Sequence, residues 1–220
     1  MNIIAGGGKY GSYAVEFLRK QGKSFTVVDV DRDCLVARKF GLQVSEEIGS
    51  EGEYFVKGDL KAVLDLIETI RVELVFPTVP THLAADLASL KFGLEPWIEG
   101  INPILAGLPQ AVVLQGGKGK LIVSFNRDHE CIDKCAMPEV CPTSGIRKPC
   151  TMTALMRFAS PDAFILLSHS VAPGLGALRC AEINEFFTWI EKKEEFVVGT
   201  ACDCHGVFTA FRRQISNVNG

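Results

Sequence analysis

The first ninety residues alternate between two hydrophobic rhythms. "NIIAGG" is a short unbroken apolar run ending in glycines, the pattern of a strand buried on both faces. "GSYAVEFLRKQG" follows, with Ala14, Val15, Phe17 and Leu18 on one helical stripe and Gly22 as its stop. "SFTVVDVD" predicts a second buried strand that closes in acid, and "YFVKGD" a third. "LKAVLDLIETI" sets Val63, Leu64, Ile67 and Ile70 on one helix face. "VELVFPT" predicts a fourth strand and "THLAADLASLKFG" a further helix. This alternation predicts an α/β fold with a doubly wound sheet of parallel strands.

The rhythm is less regular beyond that point. "GLEPWIEGINPILAGLP" reads as a connector, because prolines and glycines punctuate it. "QAVVLQGGKGKLIVSFN" sets two apolar runs around a glycine turn and predicts a hairpin. "AFILLSH" predicts another buried strand, "SHSVAPGLGALRC" a glycine-rich link from strand to helix, and "ALRCAEINEFFTWIEKK" the helix itself. "EFVVGTACDCHGVFTAFRR" predicts two strands around a turn. The expected organisation is a dinucleotide-binding domain over residues 1–95 and a cysteine-rich α/β extension over residues 96–220.

The first turn carries the clearest chemistry. Gly6, Gly8 and Gly11 form G-x-G-x-x-G between a strand and a helix. In a Rossmann-like domain the first glycine permits the tight turn. The second lets the backbone approach a pyrophosphate, and the third lets helix and strand pack closely. The helix N-terminus then offers N–H groups to the phosphates. Asp29 closes the second strand 18 residues after Gly11, where a carboxylate accepts hydrogen bonds from ribose hydroxyls. Its charge opposes a 2′-phosphate and favours NAD, although nearby Arg32 keeps NADP open. The loop "FPTVPTH" belongs at the carboxyl edge of the sheet, near a bound nicotinamide. Thr78, Thr81 and His82 are its candidates for facing substrate, with Thr81 equally suited to cap the next helix.

Residues 1 to about 90 resemble the NAD-binding domain of potassium-transport regulators, the RCK type within the Rossmann superfamily. The residues that carry the resemblance are "IIAGGGKYGSYAVEFLRKQG", "VVDVD" and "VKGD". It implies that Gly6, Gly8 and Gly11 bind the diphosphate, that Asp29 binds the ribose, and that Gly58 and Asp59 lie near the adenine. "FPTVPTH", with Pro77 and Pro80, departs from the small polar residues often found there.

The segment "DHECIDKCAMPEVCPTSGIRKPC" raises a second chemistry. Cys131, Cys135, Cys141 and Cys150 fall within 20 residues as C-x3-C-x5-C-P-x7-C. On a helix, Cys131 and Cys135 would share a face. Four thiolates suit an iron–sulfur cluster or a tetrahedral zinc ion. The spacing matches neither the usual ferredoxin run nor a zinc ribbon. Iron–sulfur is the favoured reading; zinc, regulatory disulfides and separate core thiols stay open. "CDCHG" adds Cys202, Cys204 and His205, with His129 and His205 as nitrogen candidates. Cys34 and Cys180 sit in helical patterns and read as packing residues.

Composition narrows the function class. The chain has 220 residues, 47% of them hydrophobic and 22% charged, with a net charge of −3. That supports a real core, and it argues against nucleic-acid binding, since no basic excess or stripe is present. No apolar run is long enough for a membrane helix. With no basic leader before "NIIAG", the chain reads as cytoplasmic and reduced, where eight cysteines favour metal or redox chemistry over structural disulfides. The expected function is a NAD(H)-binding redox protein with a cysteine-ligated metal centre, an oxidoreductase or electron-transfer protein. The alternative is a NAD-sensing module with a structural zinc or redox-sensing thiols. Its expected partner is a dinucleotide, with room for a redox partner protein and a homodimer.

Overall fold

A computed structural model describes residues 1–214 of the chain. The protein is a mixed α/β fold with two mixed sheets, one in each of two compact units. The first unit comprises Met1–Leu87 and His169–Asn184. Its strands β1 (Asn2–Ala5), β2 (Phe25–Asp29), β3 (Glu53–Lys57) and β4 (Leu74–Pro77) pair in parallel, in the order β3-β2-β1-β4. All four positions of β1 are buried, as its unbroken apolar run requires. Helices α1 (Lys9–Lys20), α2 (Leu35–Phe40) and α3 (Leu60–Thr69) follow the first three strands. Ala14, Val15 and Leu18 of α1 pack with Ile4, Phe25, Val27, Phe55 and Phe76 in one core.

The sheet is not parallel throughout. β10 (Leu175–Arg179) lies antiparallel to β4, and β9 (His169–Ala172) lies antiparallel to β10. "SHSVAPGLGALRC" therefore forms a hairpin, not a plain link. Gly174 supplies its left-handed turn residue (φ 72°), and a register shift falls between Leu175 and Gly176. The irregular pairing breaks the strict alternation by which a strand is recognised.

The second unit comprises Ala88–Ser168 and the described chain from Glu185 onward. β6 (Val113–Gly117), β7 (Lys120–Ser124), β12 (His205–Arg213), β11 (Glu195–Ala201) and β8 (Phe164–Leu167) are neighbours in that order, and β5 (Leu94–Pro96) also pairs with β12. The hairpins expected around Gly117 and around residues 202–204 are both present. The expected connector is instead structured. It holds β5, a short 3-10 turn (Glu99–Ile101) and α5 (Asn102–Gly107), whose proline lies in the first helical turn, where no N–H is needed. Ile101, Ile104 and Leu108 bury its apolar face.

Two further devices shape this unit. α6 (Met152–Ala159) begins at Thr151, whose side chain accepts a hydrogen bond from Ala154 N–H and caps the helix. Aromatic rings of Phe164, Phe186, Trp189, Phe196 and Phe211 stack in a chain, with Phe186 and Trp189 supplied by α7 (Cys180–Ile190). Among the described residues no helix is long and apolar enough to cross a membrane.

Candidate functional site

In the turn between β1 and α1, Gly6, Gly7 and Gly11 each have a separate steric reason to be glycine. Gly6 adopts φ 111°, and a Cβ there would sit 3.0 Å from the Thr78 carbonyl. A Cβ on Gly7 would lie 2.3 Å from Cys34 Sγ, and one on Gly11 would lie 2.1 Å from the Gly6 carbonyl oxygen. Gly8 differs from these, because a Cβ there meets nothing within 4 Å. Gly8 also precedes α1 without capping it through a side chain, and α1 has no acid in its first turn. The positive end of the helix is thus preceded by a residue with room at its side and no charge of its own.

Asp29 ties this turn to the end of β2. Its Oδ2 accepts a hydrogen bond from Gly7 N–H at 2.6 Å, and its Oδ1 accepts one from Asp31 N–H at 2.8 Å. Each carboxylate oxygen keeps a second acceptor direction. A cleft of about 280 Å³ opens here, lined among others by Gly6, Asp29, Val30, Gly58, Asp59 and Pro80. It sits at the carboxyl ends of β1 and β2, with Gly58 and Asp59 just past β3. Gly58 N–H donates to the Asp29 carbonyl at 3.0 Å, and Asp59 caps α3 by accepting from Lys61 N–H.

The remaining candidates of this unit take other places. Thr78 Oγ1 lies 2.8 Å from both the Ala5 and Gly6 carbonyl oxygens, shares its one proton between them, and so braces the glycine turn against β4. His82 is buried just ahead of α4 (Leu83–Phe92), where its carbonyl accepts from Asp86 N–H, and Thr81 is exposed. Arg32 is exposed, with its guanidinium 3.9 Å from Asp33.

Residues 128–150 of the second unit form no helix and no named strand. Turns hold the segment, together with an isolated bridge between Val140 and Arg147. Cys131 and Cys135 therefore do not share a helical face. All eight cysteines are free thiols. Cys135 Sγ accepts from Met137 N–H at 3.4 Å. Burial pushes the Cys141 thiol up, but hydrogen bonds from Ser144 and Thr143 outweigh it and set the thiol below its ordinary value. Cys150 is exposed, and Cys34 and Cys180 are buried.

The hairpin loop between β11 and β12 brings further thiols to this segment. Burial pushes the Cys204 thiol up, and its hydrogen bond with the Lys148 ammonium partly draws it back. Lys148 Nζ lies 3.3 Å from Cys204 Sγ and donates to the Met137 carbonyl at 3.0 Å. Cys204 thus has Lys148 as its partner, while Cys141 is bonded within its own turn. Among the described residues, no group of three or more His, Cys, Asp or Glu side chains is set to hold a metal ion.

A polar relay runs beside these thiols. Cys131 Sγ lies 3.3 Å from His205 Nε2, and His205 Nδ1 lies 2.9 Å from Ser124 Oγ. His205 and Ser124 face each other because β12 and β7 pair at those two residues. Ser124 Oγ also accepts from Asn126 N–H at 2.9 Å, and Asn126 Nδ2 donates to Cys131 Sγ at 3.3 Å. Burial lowers the His205 pKa, and Lys148 lowers it further. Ser124, Asn126 and Lys148 carry no motif. Only the pairing of strands 81 residues apart in sequence brings Ser124 to the histidine.

Comparison with known proteins gives a family. Residues 84–214 match the family model AF_1314_C, described as "Uncharacterized protein, C-terminal domain". Residues 1–83 match the companion model AF_1314_N, "Uncharacterized protein, N-terminal domain". A protein of Archaeoglobus fulgidus, described as "Uncharacterized protein", is 43% identical over 215 residues, which is 97% of this chain and 100% of that one. No solved structure matches the chain. With both domain models matched in order and a relative aligned over its full length, the chain belongs to the AF_1314 family.

Proposed function

We propose that the chain is a NAD(H)-binding redox protein whose first unit takes the dinucleotide as a Rossmann domain does. The observation that carries this reading is the contrast among the glycines. Gly11 is sterically required by the contact of α1 with the turn, whereas the space at Gly8 is open where a diphosphate would approach. The strand order β3-β2-β1-β4 supports it, being that of a mononucleotide-binding half, with the glycine turn where the order reverses. Asp29 supports it further, at the edge of the cleft with acceptor directions left for ribose hydroxyls.

A nicotinamide exchanges a hydride, so redox chemistry is the use that such a site implies. Gly6, Gly8 and the first turn of α1 would hold the diphosphate, Asp29 the adenine ribose, and the cleft beside Gly58 the adenine. Asp59 bears on the cleft through α3, which it caps.

Calorimetric titration of the intact protein tests the reading. NAD or NADH binds, and NADP binds more weakly because its 2′-phosphate meets Asp29. Asp29→Asn weakens NAD and narrows the gap to NADP by roughly tenfold, the scale of one charge-assisted hydrogen bond. Absence of binding by either dinucleotide would refute it.

A further inference from the structure

We propose that Cys131 is a nucleophilic thiol activated by His205, with Ser124 orienting the imidazole. The site belongs to the second unit and does not depend on the dinucleotide reading. Three contacts carry it: Cys131 Sγ to His205 Nε2 at 3.3 Å, His205 Nδ1 to Ser124 Oγ at 2.9 Å, and Asn126 Nδ2 to Cys131 Sγ at 3.3 Å. A nucleophile within hydrogen-bond reach of a base, itself held by a third group, is the recurring arrangement of an activated thiol. Cys131 is exposed, so an electrophile can reach it, whereas Ser124 and Asn126 are buried and hold their positions.

The tautomer with its proton on Nδ1 suits this geometry. Ser124 Oγ then accepts from both Nδ1–H and Asn126 N–H, using its two lone pairs, and Nε2 is free to take the thiol proton. The substrate class is an electrophilic carbon that carries a leaving group. Cys131 Sγ forms the new bond to that carbon, and the leaving group departs with its electron pair. The thiol proton passes to His205 Nε2, so an imidazolium and the leaving anion balance the charge. Asn126 Nδ2 stabilises the sulfur as negative charge builds on it.

Cys150 is a second exposed thiol and serves as the internal reference. The full chain is labelled with limiting iodoacetamide at neutral pH, and the two thiols are compared by peptide mapping. In the folded protein Cys131 is labelled at least about a hundredfold faster than Cys150, the lower end of the range for general-base assistance. In strong urea the two rates converge. His205→Gln removes the advantage, and Ser124→Ala reduces it. Should the glutamine variant fail to fold, the serine variant decides. Equal labelling in the folded protein, or an advantage that both variants leave intact, would overturn the proposal. So would a Cys131 that is protected until a chelator is added, because that behaviour belongs to a metal ligand.

Discussion

At the residue scale, two glycines of one motif have opposite sensitivities. Gly11→Ala drives a methyl to 2.1 Å from the Gly6 carbonyl oxygen, a backbone atom that cannot turn aside. It should cost at least about 1–3 kcal/mol, the range for overpacking. Gly8→Ala meets nothing within 4 Å and should cost less than about 1 kcal/mol, the difference between these residues at a helix N-cap. Urea denaturation of the two variants checks the contrast: a midpoint for Gly11→Ala near that of the parent would contradict it. The spacing and placement of these glycines were legible in the sequence, because local chain geometry alone fixes the turn. Thr78 was read as a residue facing substrate in the loop after the fourth strand, not as the brace of the glycine turn. Its two bonds reach carbonyls more than seventy residues back, and no local pattern encodes them.

At the scale of elements, α6 and the β11–β12 hairpin hold each other. Met156 is fully buried, and its side chain fills the space left by Gly199 and Gly206, where a Cβ would lie 2.7 and 2.1 Å from Met156 atoms. The helix start also meets the hairpin loop, with Met152 N–H donating to the Asp203 carbonyl and Thr153 Oγ1 to the Cys202 carbonyl. Met156→Ala should cost about 2–5 kcal/mol as a large-to-small core change. By loosening this clasp it should also raise the alkylation rate of Cys202 and Cys204. Thermal unfolding with thiol mapping reads both effects, and a variant as stable as the parent would contradict the packing account. The hairpin itself was legible from two apolar runs around a glycine-flanked turn. Its partners were not, since β7 pairs with β12 across a long loop in sequence. Contacts between distant segments are hidden from spacing in the same way: it groups Cys131, Cys135, Cys141 and Cys150 but does not show Lys148 beside Cys204 or His205 beside Cys131.

At the scale of the whole molecule, the two units hold different candidate sites: a cleft at the carboxyl ends of parallel strands in one, and a thiol–imidazole contact in the other. Four parallel strands were legible because each reads as an apolar run, three of them followed by a helical stripe; the short α2 after the second strand was not read. The later return of residues 169–184 to the first sheet was not, because glycines and an irregular register hide that hairpin. The proposed NAD(H) site lies wholly within the first unit. Saturating ligand at about 100 times its dissociation constant would stabilise the folded state by about 2.7 kcal/mol. Amide hydrogen exchange of the intact protein, with and without saturating NADH, locates that stabilisation directly. The account predicts slowed exchange at residues 6–11, 28–30 and 58–60, the segments around the cleft and the glycine turn. Unchanged exchange in all three segments at saturating NADH would contradict it.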